Sequence, residues 1–105
     1  MLDITPDGRY LFTINTPVSS VSSVSRYEIL ADGSLDLLGS TTFNDPTGLR
    51  PIDAHLDPAG GYLYVIGADA GVVSILAVDD GNLTELPTSP VALPEGTTPF
   101  GIAVT

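Results

Sequence analysis

An internal repeat constrains this chain more than any other feature of its sequence. Residues 2–14 (LDITPDGRYLFTI) align with residues 54–66 (AHLDPAGGYLYVI) at an offset of 52, with Pro, Gly, Tyr, Leu and Ile at matching positions. An Asp-Gly-x-Leu motif then recurs at residues 32–35 and 80–83, at an offset of 48. A period of this length is typical of proteins that stack copies of one supersecondary unit.

The repeat divides the 105 residues into three parts. We expect a first repeat at 1–50, a second at 51–98, and the start of a third at 99–105. Each full repeat holds four segments rich in β-branched, aromatic and aliphatic residues, bounded by turn-forming Gly, Pro and Asp. The predicted strands are Leu2–Thr5, Tyr10–Asn15, Val24–Leu30 and Leu35–Thr41 in the first repeat, and Ile52–Asp57, Tyr62–Gly67, Val72–Val78 and Leu83–Leu86 in the second.

Two kinds of turn join these strands. Pro6 fixes φ at the start of the first turn, and Gly8 supplies the positive φ that side chains resist. The hairpin Ala31–Ser34 contains an Asp-Gly pair, which favours a type I′ turn. The second repeat has turn sequences at the corresponding places, residues 58–61 and 79–82.

The apolar pattern of the strands indicates how the sheets pack. Residues 10–14 (YLFTI) and 62–66 (YLYVI) are almost continuously apolar, which indicates burial of both faces. Four-stranded antiparallel sheets that repeat at this spacing and stack face to face are β-propeller blades. An eight-stranded β-sandwich also suits a chain of this length, but it gives no reason for the repeated motif. We therefore predict an all-β protein of two four-stranded antiparallel propeller blades plus the first strand of a third.

The charge and composition of the chain exclude several classes of partner. There are 13 acidic residues against three Arg and no Lys, which gives a net charge of −10. Such a surface repels phosphate backbones and anionic lipids, so we expect neither nucleic acid nor membrane partners. The longest strongly apolar run, residues 72–78, is far shorter than the roughly 20 residues of a membrane helix. No secretory leader is recognisable in the sequence, which favours the cytoplasm.

The repeat motifs resemble those of the lactonase-type seven-bladed propellers, the family that contains bacterial 6-phosphogluconolactonase. The resembling segments are residues 5–15 (TPDGRYLFTIN) and 57–67 (DPAGGYLYVIG), together with the ADGSL and DDGNL hairpins. Surface-layer propellers with a Tyr-Val-Thr-Asn repeat share the same blade motif. The resemblance implies hydrolysis of a sugar-acid lactone without a cofactor, and two blades of the seven that a complete ring contains.

Two isolated blades would leave both outer sheet faces and several strand edges uncovered. We therefore expect self-association or further blades, and no catalysis by the chain alone. The alternative function is a non-catalytic binding or scaffold propeller segment, with the loop Thr16–Ser23 and the Pro-rich stretch Pro87–Pro99 as contact surfaces.

His55, the one histidine, is the first candidate for acid–base catalysis. The family resemblance implies an active-site His directly after a Pro, but here Pro51 is followed by Ile52, and His55 comes four residues after the Pro. Arg50 precedes the same strand, where a guanidinium can hold the carboxylate or phosphate of a sugar acid. His55 and Arg50 are therefore the predicted catalytic residues. The alternative interpretations are a partly buried strand position for His55 and an ion-paired loop position for Arg50.

Two carboxylates accompany His55 in the sequence. By the two-residue period of a strand, Asp53 and Asp57 share one face with His55, where a carboxylate can orient the imidazole or bind a metal. No phosphate-binding loop or dinucleotide fingerprint occurs in the sequence, so we predict no cofactor and no metal site.

Overall fold

The computed structural model describes residues 2–15, 22–44, 50–68 and 71–94. Those residues form β-strands joined by turns, close to the segments predicted from the sequence. The strands are β1 (Leu2–Ile4), β2 (Tyr10–Asn15), β3 (Ser23–Ile29), β4 (Leu35–Thr42), β5 (Pro51–Leu56), β6 (Tyr62–Gly67), β7 (Val72–Asp79), β8 (Asn82–Glu85) and β9 (Val91–Ala92).

The strands form two antiparallel sheets in which neighbours along the chain are neighbours in space. Sheet 1 has the order β1-β2-β3-β4, and sheet 2 has the order β5-β6-β7-β8. An immunoglobulin-type sandwich would instead pass the chain back and forth between its sheets. Consecutive strands within each sheet therefore favour blades over a sandwich. The predicted third repeat at 99–105 lies outside the described residues, as does most of the loop Thr16–Ser23.

The hydrophobic core lies between the two sheets. Phe12 and Val24 of sheet 1 pack against Leu63, Val65 and Leu76 of sheet 2, and all five side chains are almost fully buried. Burial of apolar side chains of this size stabilises a fold by about 1.5–3 kcal/mol each. The packing of one sheet on the other is thus the main source of stability.

Equivalent residues of the two repeats differ in burial, because the residue in sheet 1 is covered by sheet 2 whereas its equivalent in sheet 2 faces away from sheet 1. Tyr10 and Tyr62 each begin the second strand of their sheet, yet Tyr10 is 6% exposed and Tyr62 is 42% exposed. The side chain of Tyr10 lies in the core between the sheets, whereas Tyr62 lies on the face of sheet 2 that points away from sheet 1. The prediction that both faces are buried therefore holds for residues 10–12 of β2, whereas the rest of β2 is half-buried and β6 is incompletely buried at Tyr62 and Tyr64.

The outer edge of sheet 2 departs from the predicted four strands. β8 pairs only with the second half of β7, and the short strand β9 pairs with Val72 and Val73 at its beginning. Between β8 and β9, the hydroxyl of Ser89 accepts a hydrogen bond from the backbone N–H of Ile75, at 2.9 Å. This side chain satisfies a backbone group of β7 where the partner strand is interrupted.

The chain segment that follows sheet 1 is bound by sheet 2. Phe43 is buried in the shared core. The backbone N–H of Asn44 donates to Oε1 of Glu85 at 2.6 Å, and its side-chain amide donates to the carbonyl of Leu86 at 3.3 Å. Phe43 and Asn44, the first residues after sheet 1, are therefore held against the outer edge of the second sheet.

The hairpin turn of sheet 1 is not the predicted type I′. Such a turn needs positive φ at both central residues, and in this hairpin only Gly33 has it, at +85°. Oδ1 of Asp32 accepts from the N–H and the hydroxyl of Ser34, which holds Asp32 in a different conformation. The corresponding loop of sheet 2 has two residues, 80 and 81, where that of sheet 1 has five, 30–34, and Asp80 (+52°) and Gly81 (+84°) both have positive φ.

The turn between β1 and β2 is stabilised by Asp7. Its Oδ1 accepts from the hydroxyl of Thr5 at 2.6 Å and from the N–H of Arg9 at 3.0 Å. The Thr5 hydrogen bond first, and the Arg9 N–H second, hold the pKa of Asp7 below its ordinary value of 3.8. The folded chain therefore binds fewer protons at this site than the unfolded chain.

We expect Asp7→Asn to make the fold less sensitive to acid. The native pKa of Asp7 is lowered, so its contribution to stability is present above the unfolded value and is lost as pH falls through the native value. Asn keeps the acceptor oxygen but does not titrate. Urea unfolding between about pH 5 and pH 2 should show a shallower decline for Asp7→Asn than for the unchanged chain. Superimposable pH profiles of the two proteins would contradict this account of the turn.

Within the part of the chain that the structure describes, there is no helix of the length and apolar character that crosses a membrane.

Candidate functional site

The first strands of the two sheets bring His55 together with two carboxylates. Nε2 of His55 lies 3.6 Å from Oδ2 of Asp53, and its Nδ1 lies 3.9 Å from Oδ2 of Asp3. The side chain of His55 is 41% exposed and that of Asp53 is 12% exposed. These separations are beyond a normal hydrogen bond but within the range of a charge interaction. The imidazole is thus open to solvent on one side and flanked by negative charge on the other.

Asp3 holds the two sheets together at this point. Its Oδ2 accepts a hydrogen bond of 2.8 Å from the backbone N–H of Leu56 in β5, and its Oδ1 accepts one of 2.9 Å from its own neighbour Ile4. Because β5 is the first strand of its sheet, this side chain satisfies a backbone donor on an edge. Asp3 therefore both docks sheet 1 onto sheet 2 and places a carboxylate beside His55.

Asp3 is not among the site residues predicted from the sequence. It lies at the position of the first repeat that aligns with His55 in the second, at the offset of 52. The alignment of Asp3 with His55 could have indicated that the two residues are neighbours, because equivalent positions on the first strands of adjacent blades lie close in space. To predict this contact, one must know how the two blades are positioned relative to each other, and the apolar pattern of a single strand does not give that.

Asp57 has a different role from the one its spacing suggested. Its Oδ1 accepts from the backbone N–H of Gly61 at 2.7 Å and from that of Tyr62 at 3.0 Å. These are the hydrogen bonds of a turn, and they fix the chain reversal between β5 and β6. Of the two carboxylates predicted to flank His55 on its own strand, the structure brings only Asp53 within ion-pair distance.

Arg50 and His55 lie at opposite ends of β5. Arg50 directly precedes the strand and has φ of +44°, while its carbonyl accepts from the N–H of Ala68 at 3.1 Å. Five residue steps along the strand separate their backbone positions, which is about 16 Å at 3.3 Å per residue. The structure therefore does not bring the two predicted catalytic residues together.

We expect Asp3→Ala to weaken the docking of the two sheets. The change removes the acceptor of the Leu56 N–H, and a lost hydrogen bond to a charged group costs about 1.5–3 kcal/mol. Asp3→Asn is the matched control, since its amide oxygen can still accept while its charge is gone. In urea unfolding, Asp3→Ala should be clearly less stable than Asp3→Asn. Equal stabilities of the two variants would mean that charge, and not the hydrogen bond, is what Asp3 contributes.

A second polar cluster lies between the sheets at the turns, beside a cavity of about 250 Å³. The hydroxyl of Tyr10 donates to Oδ1 of Asp80 at 3.1 Å, and Nη1 of Arg9 donates to the same oxygen at 3.2 Å. Burial, and then the hydrogen bond to Asp80, raise the pKa of Tyr10 above its ordinary value. The guanidinium of Arg9 also lies 5.0 Å from the centre of the Tyr10 ring, which is a cation–π distance.

Close backbone packing accompanies this cluster. Nη1 of Arg26 donates to the carbonyl of Gly81 at 3.1 Å and to Oδ1 of Asn82 at 3.2 Å. A Cβ at Gly81 would lie 2.5 Å from the ring of Tyr10, and one at Gly60 would lie 2.6 Å from Pro6. Both glycines therefore allow the second sheet to approach the first. We interpret this cluster as a structural contact that holds the two blades together, since its polar atoms form hydrogen bonds with one another across the sheets.

Among the described residues, no group of three or more His, Cys, Asp or Glu side chains is arranged to hold a metal ion. What the arrangement around His55 offers is one partly exposed imidazole with a carboxylate oxygen of Asp53 and one of Asp3 within 4 Å of its ring nitrogens. That combination suits acid–base chemistry.

Comparison with known proteins places the two sheets in a family. The family profile described as "Lactonase, 7-bladed beta-propeller" matches residues 1–98. The chain belongs to this lactonase family. It is 36% identical over 93 residues to the 6-phosphogluconolactonase of Photorhabdus laumondii, a match that covers 86% of this chain and 26% of that protein.

Two solved structures share this fold. A candidate 6-phosphogluconolactonase from Bacteroides fragilis superposes with a TM-score of 0.76 and 26% identity, over 96% of this chain and 26% of that one. A second, from Bacteroides uniformis, gives a TM-score of 0.74 and 22% identity, over 89% of this chain and 26% of that one. The predicted propeller fold is thus confirmed. This lactonase-family chain spans about a quarter of the length of these relatives.

Proposed function

We propose that this chain supplies two adjacent blades of a propeller that hydrolyses a sugar-acid lactone, with 6-phosphogluconolactone as the model substrate. The family profile and the P. laumondii relative support the substrate class. The observation that carries the proposal is the position of His55 on the first strand of its sheet, partly exposed and flanked by Asp53 and Asp3.

Hydrolysis of a lactone requires a base for the attacking water and a donor for the oxyanion that forms. Neutral His55 accepts a proton from water as the water oxygen bonds to the ester carbonyl carbon. The tetrahedral intermediate then collapses, the bond from that carbon to the ring oxygen breaks, and the proton passes to the departing oxygen. Asp53 and Asp3 stabilise the imidazolium that exists between these steps, in the way that a carboxylate partner supports a catalytic histidine.

Arg50 is proposed to have a role separate from that of His55. Its backbone position lies about 16 Å from that of His55 along β5, at the other end of the strand. We therefore assign proton transfer to His55 alone and retain Arg50 as an anion-binding residue at the other end of the strand. The rest of the site, including the oxyanion donor, belongs to further blades or further copies, so the chain alone is expected to be inactive.

The test is a chimera in which residues 1–98 replace the matching segment of the P. laumondii 6-phosphogluconolactonase. Activity is followed by pH-stat titration of the acid that lactone opening releases. We expect a folded chimera to hydrolyse 6-phosphogluconolactone, and His55→Gln within it to lower kcat by about 10²–10⁴, the usual contribution of a general base. Arg50→Gln is the comparison variant, for which the proposal expects a raised KM with kcat retained.

A folded chimera without activity would contradict the proposed function. Full kcat in His55→Gln would contradict the assigned role of His55 while leaving the lactonase proposal in place. Hydrolysis above the buffer rate by the 105-residue chain itself would show that two blades hold a complete site, against our expectation.

A further inference from the structure

The negative charge of this chain has few cations to balance it. The sequence has 13 acidic residues against three Arg and no Lys, so most pairs of charges in the folded chain are of like sign. Like charges repel, and a large net charge destabilises the compact state relative to the unfolded one. The fold therefore has to form against electrostatic repulsion.

Turn chemistry explains only part of this acidic character. Asp7, Asp32 and Asp57 each accept a hydrogen bond from a backbone N–H of their own turn. An Asn oxygen accepts equally well at such positions. Glu28 and Asp36 lie instead on β3 and β4, although acidic residues are depleted in strands. The excess charge is thus not a by-product of the turns.

Glu28 and Asp36 lie directly opposite each other in the register of β3 and β4. Residues in such a pair have Cβ atoms about 5 Å apart, and like charges there are destabilising. On its other side Glu28 pairs with Tyr10, whose hydroxyl donates to Asp80. Burial of Tyr10, its hydrogen bond to Asp80 and the charge of Glu28 all raise the pKa of its phenol. Carboxylates of both sheets are therefore gathered around this ring.

The nearby guanidiniums do not neutralise these carboxylates. Arg9 pairs with Asp80, and both side chains are more than half exposed, so the pair contributes little to stability. Arg26 donates through Nη1 to the carbonyl of Gly81 and to an amide oxygen, which are neutral partners. In the part of the chain that the structure describes, no ion pair within 4 Å includes Glu28 or Asp36.

Dissolved salt acts on this repulsion at the relevant distance. The Debye length is about 10 Å at 0.1 M ionic strength and about 3 Å at 1 M. Carboxylates about 5 Å apart therefore repel each other in dilute buffer and are largely screened in molar salt. Salt also weakens the pair of Arg9 with Asp80, but attractive pairs of this kind are the minority in this chain.

We propose that the fold of this chain is adapted to concentrated monovalent salt and reaches full stability only near about 1 M ionic strength or above. It requires a diffuse atmosphere of hydrated cations and no bound ion. The two sheets that border Glu28 and Asp36 both belong to this chain, so the inference does not depend on further blades. The proposal goes beyond lactone hydrolysis.

Urea unfolding in a series of salt concentrations tests the proposal, because urea itself adds no charge. Circular dichroism follows the transition at neutral pH in potassium chloride from about 0.1 M to about 2 M. Asp36→Asn removes one charge of the cross-strand pair. Asp32→Asn is the matched control, since it changes the net charge equally, keeps the acceptor for Ser34 and lies outside the β3–β4 register.

The urea midpoint of the unchanged chain should rise with potassium chloride, mostly below about 1 M. At the lowest salt concentration Asp36→Asn should exceed the unchanged chain in its folding equilibrium constant by about two- to fivefold, and Asp32→Asn should gain less. The advantage of Asp36→Asn should vanish at the highest salt concentration. Sucrose stabilises proteins without screening charge, so in a sucrose series that advantage should persist.

A urea midpoint that stays constant or falls as potassium chloride is added would overturn the proposal. So would an Asp36→Asn variant that is no more stable than Asp32→Asn at low salt, or a chain that is unfolded at every salt concentration. Glu28→Gln breaks the same pair from β3 and replaces Asp36→Asn if the latter does not fold. Lactone hydrolysis does not enter these measurements, so this proposal and the proposed function fail independently.

Discussion

Gly81→Ala is expected to lower the free energy of unfolding by about 3–4 kcal/mol, whereas Gly33→Ala should cost only about 1 kcal/mol. The two glycines occupy the same place in the two hairpins and have nearly the same φ, +84° and +85°. An alanine is strained by that φ in both cases. Only at Gly81 does the new Cβ also meet the ring of Tyr10, at 2.5 Å.

The difference between the two variants therefore measures the close approach of the sheets. The free energies of unfolding of the two variants are measured by urea unfolding at concentrations where the chain is monomeric. Gly81→Ala reports on the β7–β8 hairpin and Gly33→Ala on the β3–β4 hairpin. Equal losses for Gly81→Ala and Gly33→Ala would show that backbone strain alone explains both glycines and that the blades do not pack as described.

Phe12→Ala should have the largest effect of any single truncation, a loss of about 3–5 kcal/mol. Phe12 is 2% exposed in the core between the sheets, so its removal leaves a cavity that the flat sheet faces cannot close. A domain of this kind has about 5–15 kcal/mol of total stability. The loss is therefore a third or more of the total for most of this range, and we expect a large fall in the melting temperature.

Tyr64→Ala is the matched control for Phe12→Ala. Tyr64 holds the equivalent position on the outward face of sheet 2 and is only partly buried. It should cost less than half as much in dilute solution. Thermal melting followed by circular dichroism makes the comparison, and similar losses for both variants would mean that the core does not lie where the two sheets meet.

The repeat made most of the fold predictable from the sequence. The Pro-x-Gly-x-Tyr-Leu motif marks a turn followed by an apolar strand, and its recurrence identifies two units of one kind. β2 and β6 begin and end at the predicted residues, and the other six predicted strands differ by one residue at one end or at both. These features depend on local conformation and on the period of apolar residues, both of which a sequence contains.

What the sequence did not predict depends on contacts between distant segments. β9 follows Pro87 and Pro90, so the stretch resembled a loop, and its pairing with β7 becomes visible only in three dimensions. The role of Asp3 beside His55 depends on which first strands are neighbours. The spacing of Asp57 predicted that its carboxylate would lie beside His55. Instead, the carboxylate accepts hydrogen bonds from the nearby turn backbone, an interaction that short polar side chains commonly make.

The attachment of Phe43 and Asn44 to sheet 2 bears on cooperativity. These residues directly follow sheet 1, but Phe43 packs in the shared core and Asn44 binds Glu85 of sheet 2. Unfolding of either sheet therefore disrupts contacts of the other. Amide protons of both blades should then exchange with solvent through the same global opening. The two blades should then unfold together, as one cooperative unit.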